Sequence, residues 1–326
     1  MGQENNKLLN VEELKTHFPV KKGLMRRTVG YIKAVDGVSF SISKGQTVGL
    51  VGESGCGKTT AARTIIKLIP ATSGRVTFDN LNVFSANEQQ LTELRRQISM
   101  IFQDPYGSLN PRMTVGDIVG EPLKVHGKLT GGELSDRVAQ ILEKVGLSSE
   151  HINRYPHEFS GGQRQRIGVA RALVLGARLV ICDEPVSALD VSIQSQILNL
   201  LKDLQNEFEL TYLFIAHDLA VVEFFCDVVA VMYLGRIVER ADSKELYRNP
   251  LHPYTRALMS AIPKVETGRR GIRTATGGEV PSALNPPGGC PFHPRCPLAE
   301  QICREQMPEF EQKGDRREHF VACWKC

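Results

Sequence analysis

"VGESGCGKTT", residues 51–60, sets the most permissive residues of its neighbourhood between two rigid elements. The apolar run Thr47–Val51 before it reads as a strand, and Ala61–Ile66 after it reads as the body of a helix. Gly52-Glu53-Ser54-Gly55-Cys56-Gly57-Lys58-Thr59 fits the pattern G-x-x-x-x-G-K-S/T in full, with Thr60 following. Glycines let the main chain wrap a phosphate with its N–H groups, and the helix behind them offers its positive end. Lys58 supplies a point charge for the β- and γ-phosphates, and the Thr59 hydroxyl can hold Mg²⁺. A helix cap with a chance match is the bland alternative. The flanking strand and helix argue against it.

A phosphate loop says nucleotide and no more. "RLVICDEP" (178–185) is an apolar strand ending in Asp183 and Glu184. The C-terminal end of such a strand is where open α/β sheets bind ligands. Asp183 can hold the Mg²⁺ water shell, and Glu184 can polarise a water for attack on a γ-phosphate. "EFSGGQRQRIGVARAL" (158–173) adds a second anion-reading helix start at Ser160-Gly161-Gly162, with Gln163 as a polar arm. Arg164, Arg166 and Arg171 give that helix a basic character, which a solvated surface face would explain equally well. Two phosphate-type helix starts in one chain are redundant unless the second serves another molecule's nucleotide.

Composition sets the class. The chain has 326 residues, 41% apolar and 23% charged, with a net charge of +4. This is globular protein with one large domain and an appendage, and the charge is too mild for a nucleic-acid footprint. No apolar run approaches the roughly 20 residues that span a bilayer. "MGQENNKLLN" lacks the apolar core of a secretory leader, and Asn6 breaks the myristoylation pattern, so a soluble cytosolic protein is expected. Residues 7–15 and 33–43 read as strands, 58–69 as a helix, and "SGRVTF" as a turn and strand. From "RLVICDEP" to "DVVAVMYLG", strands alternate with helices, which predicts an α/β fold with a largely parallel sheet. Proline and glycine density rises from about residue 263, where a domain boundary is expected.

Taken in order, the phosphate loop, "IFQDP", "FSGGQRQR", "ICDEP", "SALD" and "IAHD" resemble the ATPase subunit of an ABC transporter over about residues 7–262. The resemblance implies a P-loop ABC-ATPase domain at 1–262 with an antiparallel β subdomain and a helical subdomain at about 104–176. A small Cys-rich extension at 263–326 follows. It implies a head-to-tail dimer holding two ATP molecules, each between the phosphate loop of one subunit and the Ser160–Gln163 segment of the other. Gln103 then resembles the glutamine that contacts Mg²⁺ and senses the membrane partner. Asp190 closes the D-loop, and His217 is similar to the switch histidine near the γ-phosphate. Phe18 or Tyr31 would stack on adenine, with an insertion at 19–30 between them.

"FQDPYGSLNPRMTV", "NPLHPYTRALMSAIP" and "PPGGCPFHPRCP" narrow the resemblance to oligopeptide and dipeptide importers, a group that also contains nickel importers, and to the second of their two ATPase subunits. That implies two transmembrane permease subunits and a second ATPase subunit, favouring a heterodimer over a homodimer. It also implies an extracytoplasmic peptide-binding protein acting indirectly, no nucleic acid, and a peripheral place on the cytoplasmic side of the membrane. Peptide import is the main reading, with nickel or another small solute as the alternative. Soluble ABC ATPases acting on nucleic acid or ribosomes usually carry two cassettes or long coiled-coil inserts, and this chain has one cassette and neither insert. A non-catalytic metal-binding regulator is opposed by the intact carboxylate and histidine motifs.

Five of the eight cysteines crowd the tail: Cys290, Cys296, Cys303, Cys323 and Cys326. In a reducing compartment such crowding favours metal over disulfides, chiefly zinc or an iron–sulfur cluster. Only Cys323–Cys326 has the close spacing usual for structural zinc. The family resemblance implies a 4Fe–4S cluster on Cys290, Cys296, Cys303 and Cys323, with Zn²⁺ as the alternative and Cys326 spare. Buried unligated thiols are the bland reading. Nothing in the sequence places the tail near the nucleotide, so a structural or partner-contact role is expected.

Overall fold

Alternating apolar residues carry the chain into β1 (Lys7–Lys22), where Leu9 and Val11 are buried. The buried set then moves to even positions, Leu14 and Thr16. A bulge explains the switch: the register against the neighbouring strand slips between Glu12 and Lys15, and Glu13 takes a φ of 45°. The computed structural model describes residues 6–23, 27–104, 107–127, 129–261, 279–313 and 318–326. The boundary expected near 263 lies outside them.

The chain continues through β2 (Arg27–Ser43), β3 (Thr47–Val51), α1 (Lys58–Ile65), β4 (Ser73–Phe78) and β5 (Leu81–Asn82). β2, β1, β4 and β5 form one four-stranded sheet in that order, antiparallel along β1–β4–β5. The first two strands are longer than the sequence suggests. Within the insertion expected at 19–30, the residues up to Lys22 extend β1 and those from Arg27 begin β2. Conversely, α1 stops at Ile65, short of the expected 69. Lys67 takes a φ of 57°, its N–H donates to the Thr64 carbonyl, and the Leu68 N–H reaches back to the Arg63 carbonyl. That pair of bonds ends a helix by satisfying its last carbonyls.

Next come α2 (Glu88–Gln97), β6 (Ile98–Ile101), α3 (Val115–Val125), α4 (Gly131–Lys144), α5 (Gly161–Leu173), β7 (Leu179–Asp183), α6 (Val191–Phe208) and β8 (Thr211–Ala216). β6, β7 and β8 pair in parallel. Every residue of β7 and β8 is buried, as expected for strands covered on both faces. The chain ends with α7 (Leu219–Phe225), β9 (Val228–Tyr233), β10 (Arg236–Asp242), α8 (Ser243–Arg248), α9 (Pro253–Ser260), α10 (Gln301–Glu305), β11 (Glu311–Gln312) and β12 (Phe320–Val321). β9 runs parallel to β3, while β10, β12 and β11 continue from β9 with antiparallel pairing. The parallel sheet expected from the sequence thus carries an antiparallel edge, and part of that edge comes from the cysteine-rich tail.

Two compact units result. One takes Ile42–Gln46 and Ser85–Ile215; the other takes Lys7–Ser41, Thr47–Phe84 and Ala216–Cys326. Among the described residues, no helix is long and apolar enough to cross a membrane.

Candidate functional site: a phosphate loop and an acid pair

The phosphate loop leaves the buried strand β3 at Gly52. Gly52 and Gly57 have φ values of 155° and 109°, and a Cβ on either would lie 2.2 Å from the Met232 carbonyl oxygen or 2.0 Å from that of Ala34. Backbone-to-backbone approach this close leaves room for glycine alone. Ser54 and Gly55 are exposed at the loop's crest, whereas Cys56 is buried beneath it. Lys58 is only 5% exposed, and its ammonium donates to the Gly52 carbonyl at 2.8 Å and the Glu53 carbonyl at 3.2 Å. The charge is therefore held inside the curve of the loop. Thr59 and Thr60 occupy the first turn of α1, which begins after Gly57 without a side-chain cap.

In the other unit, the acid pair ends β7. Asp183 is fully buried, and Glu184 turns the chain with a φ of 49°, the left-handed region that costs a non-glycine residue about 1–3 kcal/mol. The Glu184 N–H donates to the Ile215 carbonyl at 3.0 Å, and the Gln103 amide donates to the Glu184 carboxylate at 2.9 Å. Gln103 is thus tied to Glu184, a contact absent from the sequence reading. Asp190 caps α6: its carboxylate accepts from the Ile193 N–H at 3.0 Å and the Ser192 hydroxyl at 2.7 Å. Those bonds, the Ser192 hydroxyl first, hold its carboxyl below the usual range.

Ser160 and Gln163 form a reciprocal cap at the start of α5. The Ser160 N–H donates to the Gln163 side chain at 3.0 Å, and the Gln163 N–H donates to the Ser160 hydroxyl at 3.4 Å. Gly161 lies in the first turn, and a Cβ on Gly162 would meet Ile193 at 2.6 Å, so α5 packs tightly on α6. The arginines behind this start do not form a solvated basic face. Arg164 donates to the Phe159 carbonyl at 3.0 Å, Arg166 to that of Val145 at 2.6 Å, and Arg171 to that of Ser108 at 2.7 Å. They fasten the helical segment to itself.

Phe18 and Tyr31 lie on the adjacent strands β1 and β2, 39% and 53% exposed, and both are accessible to a flat ligand. His217 is exposed immediately after β8. Thr59 in one unit offers a hydroxyl oxygen, and Gln103 and Asp183 in the other offer amide and carboxylate oxygens, each a donor type that suits Mg²⁺.

The tail holds the largest departure from expectation. Cys290, Cys296, Cys303 and Cys323 line one cavity with His252 and Phe292, and no disulfide joins them. Burial pushes the Cys290 thiol up to about 11 and raises that of Cys296, while a hydrogen bond from Cys326 lowers that of Cys323. The cavity has about 10 Å³ of room, one water's worth. Among the described residues, no three His, Cys, Asp or Glu side chains are disposed to hold a metal ion. The 4Fe–4S cluster expected on these thiols therefore does not fit the arrangement they have here. Nothing in the sequence placed the tail near the nucleotide, yet Arg295 makes a two-pronged ion pair with Glu53 of the phosphate loop. The sequence reading gave neither residue a role. A lone arginine in the "HPRCP" turn, with no acid beside it, was the available signal.

Residues 35–187 match the ABC transporter family model, and residues 238–303 match that of the oligopeptide/dipeptide transporter C-terminal region. The oligopeptide transport ATP-binding protein AppF of Bacillus subtilis is 53% identical over 97% of this chain and 96% of its own length. The dipeptide transport ATP-binding protein DppF of Haemophilus influenzae is 48% identical, over 99% and 98%. A dimeric ATP-binding cassette solved in a post-hydrolysis state with ADP and Pi is 29% identical, with a TM-score of 0.64, over 72% of this chain and 98% of that one. With likeness that runs through both the phosphate-loop cassette and the tail, the chain belongs to the ATP-binding subunits of the ABC transporter family, in their oligopeptide/dipeptide branch.

Proposed function

We propose that this chain is the ATP-hydrolysing subunit that energises import of oligopeptides or dipeptides across the cytoplasmic membrane, working at its cytoplasmic face. The observation that carries the reading is the joint match of residues 35–187 and 238–303, which unites a cassette with a peptide-transporter tail in one chain. In this reading 1–262 is the cassette, with a helical subdomain at about 104–176, and 263–326 is an extension.

Lys58 neutralises the β- and γ-phosphates from inside the loop, and Phe18 or Tyr31 stacks on the adenine. Thr59, Gln103 and Asp183 hold Mg²⁺, which when bound draws off charge from the phosphate oxygens. Glu184 orients or deprotonates the attacking water, and His217 donates to the γ-phosphate as charge builds there. The Ser160–Gln163 start faces the nucleotide of a second ATPase subunit, so each complete site draws on two chains. A different second subunit is favoured over a second copy. Two permease subunits receive the closing motion, and an extracytoplasmic peptide-binding protein delivers the cargo. The four tail thiols are the residues that would hold a tail metal, an iron–sulfur cluster or zinc, but not in the arrangement described above. Occupancy requires the thiols to rearrange, and iron, sulfide and zinc analysis of the purified protein is its test.

The test of the main reading is Glu184→Gln in the native host, with labelled di-, tri- and longer peptides and nickel offered in parallel. Hydrolysis is expected to fall by about 10²–10⁴-fold and peptide uptake with it, at unchanged protein level. Loss of nickel uptake alone would reassign the cargo, and unchanged uptake of both would remove the import reading.

A further inference from the structure

The phosphate-loop motif leaves the residue after its first glycine unspecified, and here that residue is an acid. A carboxylate beside an anion-binding loop is an electrostatic liability, since it repels the phosphates the loop must hold. Three contacts meet at this residue. Both Glu53 carboxylate oxygens accept from Arg295, at 2.8 Å and 3.0 Å. The Glu53 N–H donates to the Tyr254 hydroxyl at 2.9 Å. Its carbonyl accepts from Lys58, the charge at the centre of the loop, at 3.2 Å. The Arg295 side chain is 6% exposed and that of Glu53 27%. A fork of two parallel bonds fixes direction as well as charge.

The turn that carries Arg295 is itself braced. It spans His293–Arg295, just before Cys296. Phe292 ahead of it is 1% exposed and packs edge-on against Tyr233 at 5.3 Å and at a tilt against Tyr254 at 5.4 Å. The guanidinium lies 5.9 Å from the centre of the Tyr233 ring. Tyr254 and Arg295 thus approach Glu53 from one packed aromatic cluster. From this geometry we infer that the C-terminal segment supplies Arg295 as a positioning residue for nucleotide binding: it neutralises Glu53 and holds the start of the phosphate loop in its curved form. The inference rests on the reading of Gly52–Thr59 as the triphosphate loop and deepens it.

The experiment is equilibrium binding of MgADP and a non-hydrolysable MgATP analogue to the full chain, with KM and kcat for ATP measured alongside. Arg295→Ala, which both frees the loop and exposes the Glu53 charge, is expected to weaken binding about tenfold, raising KM with little change in kcat. Arg295→Lys keeps the charge but loses the fork and is expected to fall between. Glu53→Gln, which frees the loop but removes the charge, should cost less than Arg295→Ala. Glu53→Gln added to Arg295→Ala should recover affinity to the level of Glu53→Gln alone. A purely architectural role for Arg295 would show no such recovery. Unchanged affinity in Arg295→Ala, or additive losses in the double variant, overturns the inference. Should Arg295→Ala fail to fold, Arg295→Lys with and without Glu53→Gln decides by the same sign of coupling. Wild-type chain that binds no nucleotide would instead take down the phosphate-loop reading and this inference with it.

Discussion

α1 and α5 both begin where the sequence suggests an anion, yet they begin differently. α1 follows Gly57 and has no side-chain cap. α5 follows Ser160, which exchanges hydrogen bonds with Gln163. A capped start is worth about 1 kcal/mol over an uncapped one. α5 is therefore capped from within its own sequence, whereas α1 has no such side-chain cap. The difference suits the two tasks proposed for them. The loop around Lys58 encloses its own nucleotide, and the α5 start has to persist until a second subunit brings one.

The largest test of that contrast is Lys58→Ala. Removing a charge that is 5% exposed and bonded to two loop carbonyls takes away the centre of the α1 site. Nucleotide affinity of the full chain is expected to fall about a hundredfold, read by titration calorimetry. An affinity within twofold of wild type would mean that the uncapped start does not read phosphate.

A third helix start separates capping from phosphate chemistry. α9 is capped by His252, whose Nδ1 accepts from the Tyr254 N–H at 3.1 Å. His252 is 1% exposed; burial lowers its pKa to about 4, against the opposing pull of Glu239. The folded chain therefore resists a proton that the unfolded chain accepts. Stability from this group is complete above about pH 6.5 and is lost as pH falls from there toward 4. The loss amounts to about 3 kcal/mol at most. Urea midpoints at pH 7 and pH 5 should differ in wild type, and His252→Asn, which keeps a cap and removes the titration, should flatten that difference. Equal slopes would show that another group carries the acid sensitivity.

How much of this was legible in the sequence follows from how local each signal is. Gly52–Thr59 could be read directly because loop, strand and helix are contiguous, and the same holds for Asp183–Glu184 at the end of an apolar run. The Gln103–Glu184 bond joins residues 81 positions apart, and Arg295–Glu53 joins residues 242 apart, so no periodicity reports either. The arginines of α5 misled for a related reason. Spacing gives a basic face, but only the folded neighbours reveal that Arg166 and Arg171 end on the Val145 and Ser108 carbonyls. The bulge at Glu13 was hidden too, since a parity switch in a strand resembles the end of the strand. The tail cysteines were legible as a group, because four of them do share a cavity. Spacing could not report how much room lies between them.

The smallest effect sharpens the comparison from the other side. The Ser160 hydroxyl accepts from Gln163 at 3.4 Å, a longer bond than the 2.9 Å of the equivalent Asn87–Gln90 cap on α2. Ser160→Ala should therefore cost no more than about 1 kcal/mol of stability, and less than Asn87→Ala, by denaturant midpoint. Its effect on nucleotide binding by the isolated chain should be within twofold, because in the proposed arrangement the α5 start serves a second subunit's nucleotide. Hydrolysis by the assembled transporter, in contrast, should fall clearly, since that start is then half of a site. If Ser160→Ala weakened binding in the isolated chain as Lys58→Ala does, both helix starts would serve one nucleotide in one chain. The self-cap of α5 would then be a local habit of Ser160 and Gln163 with no bearing on a second subunit.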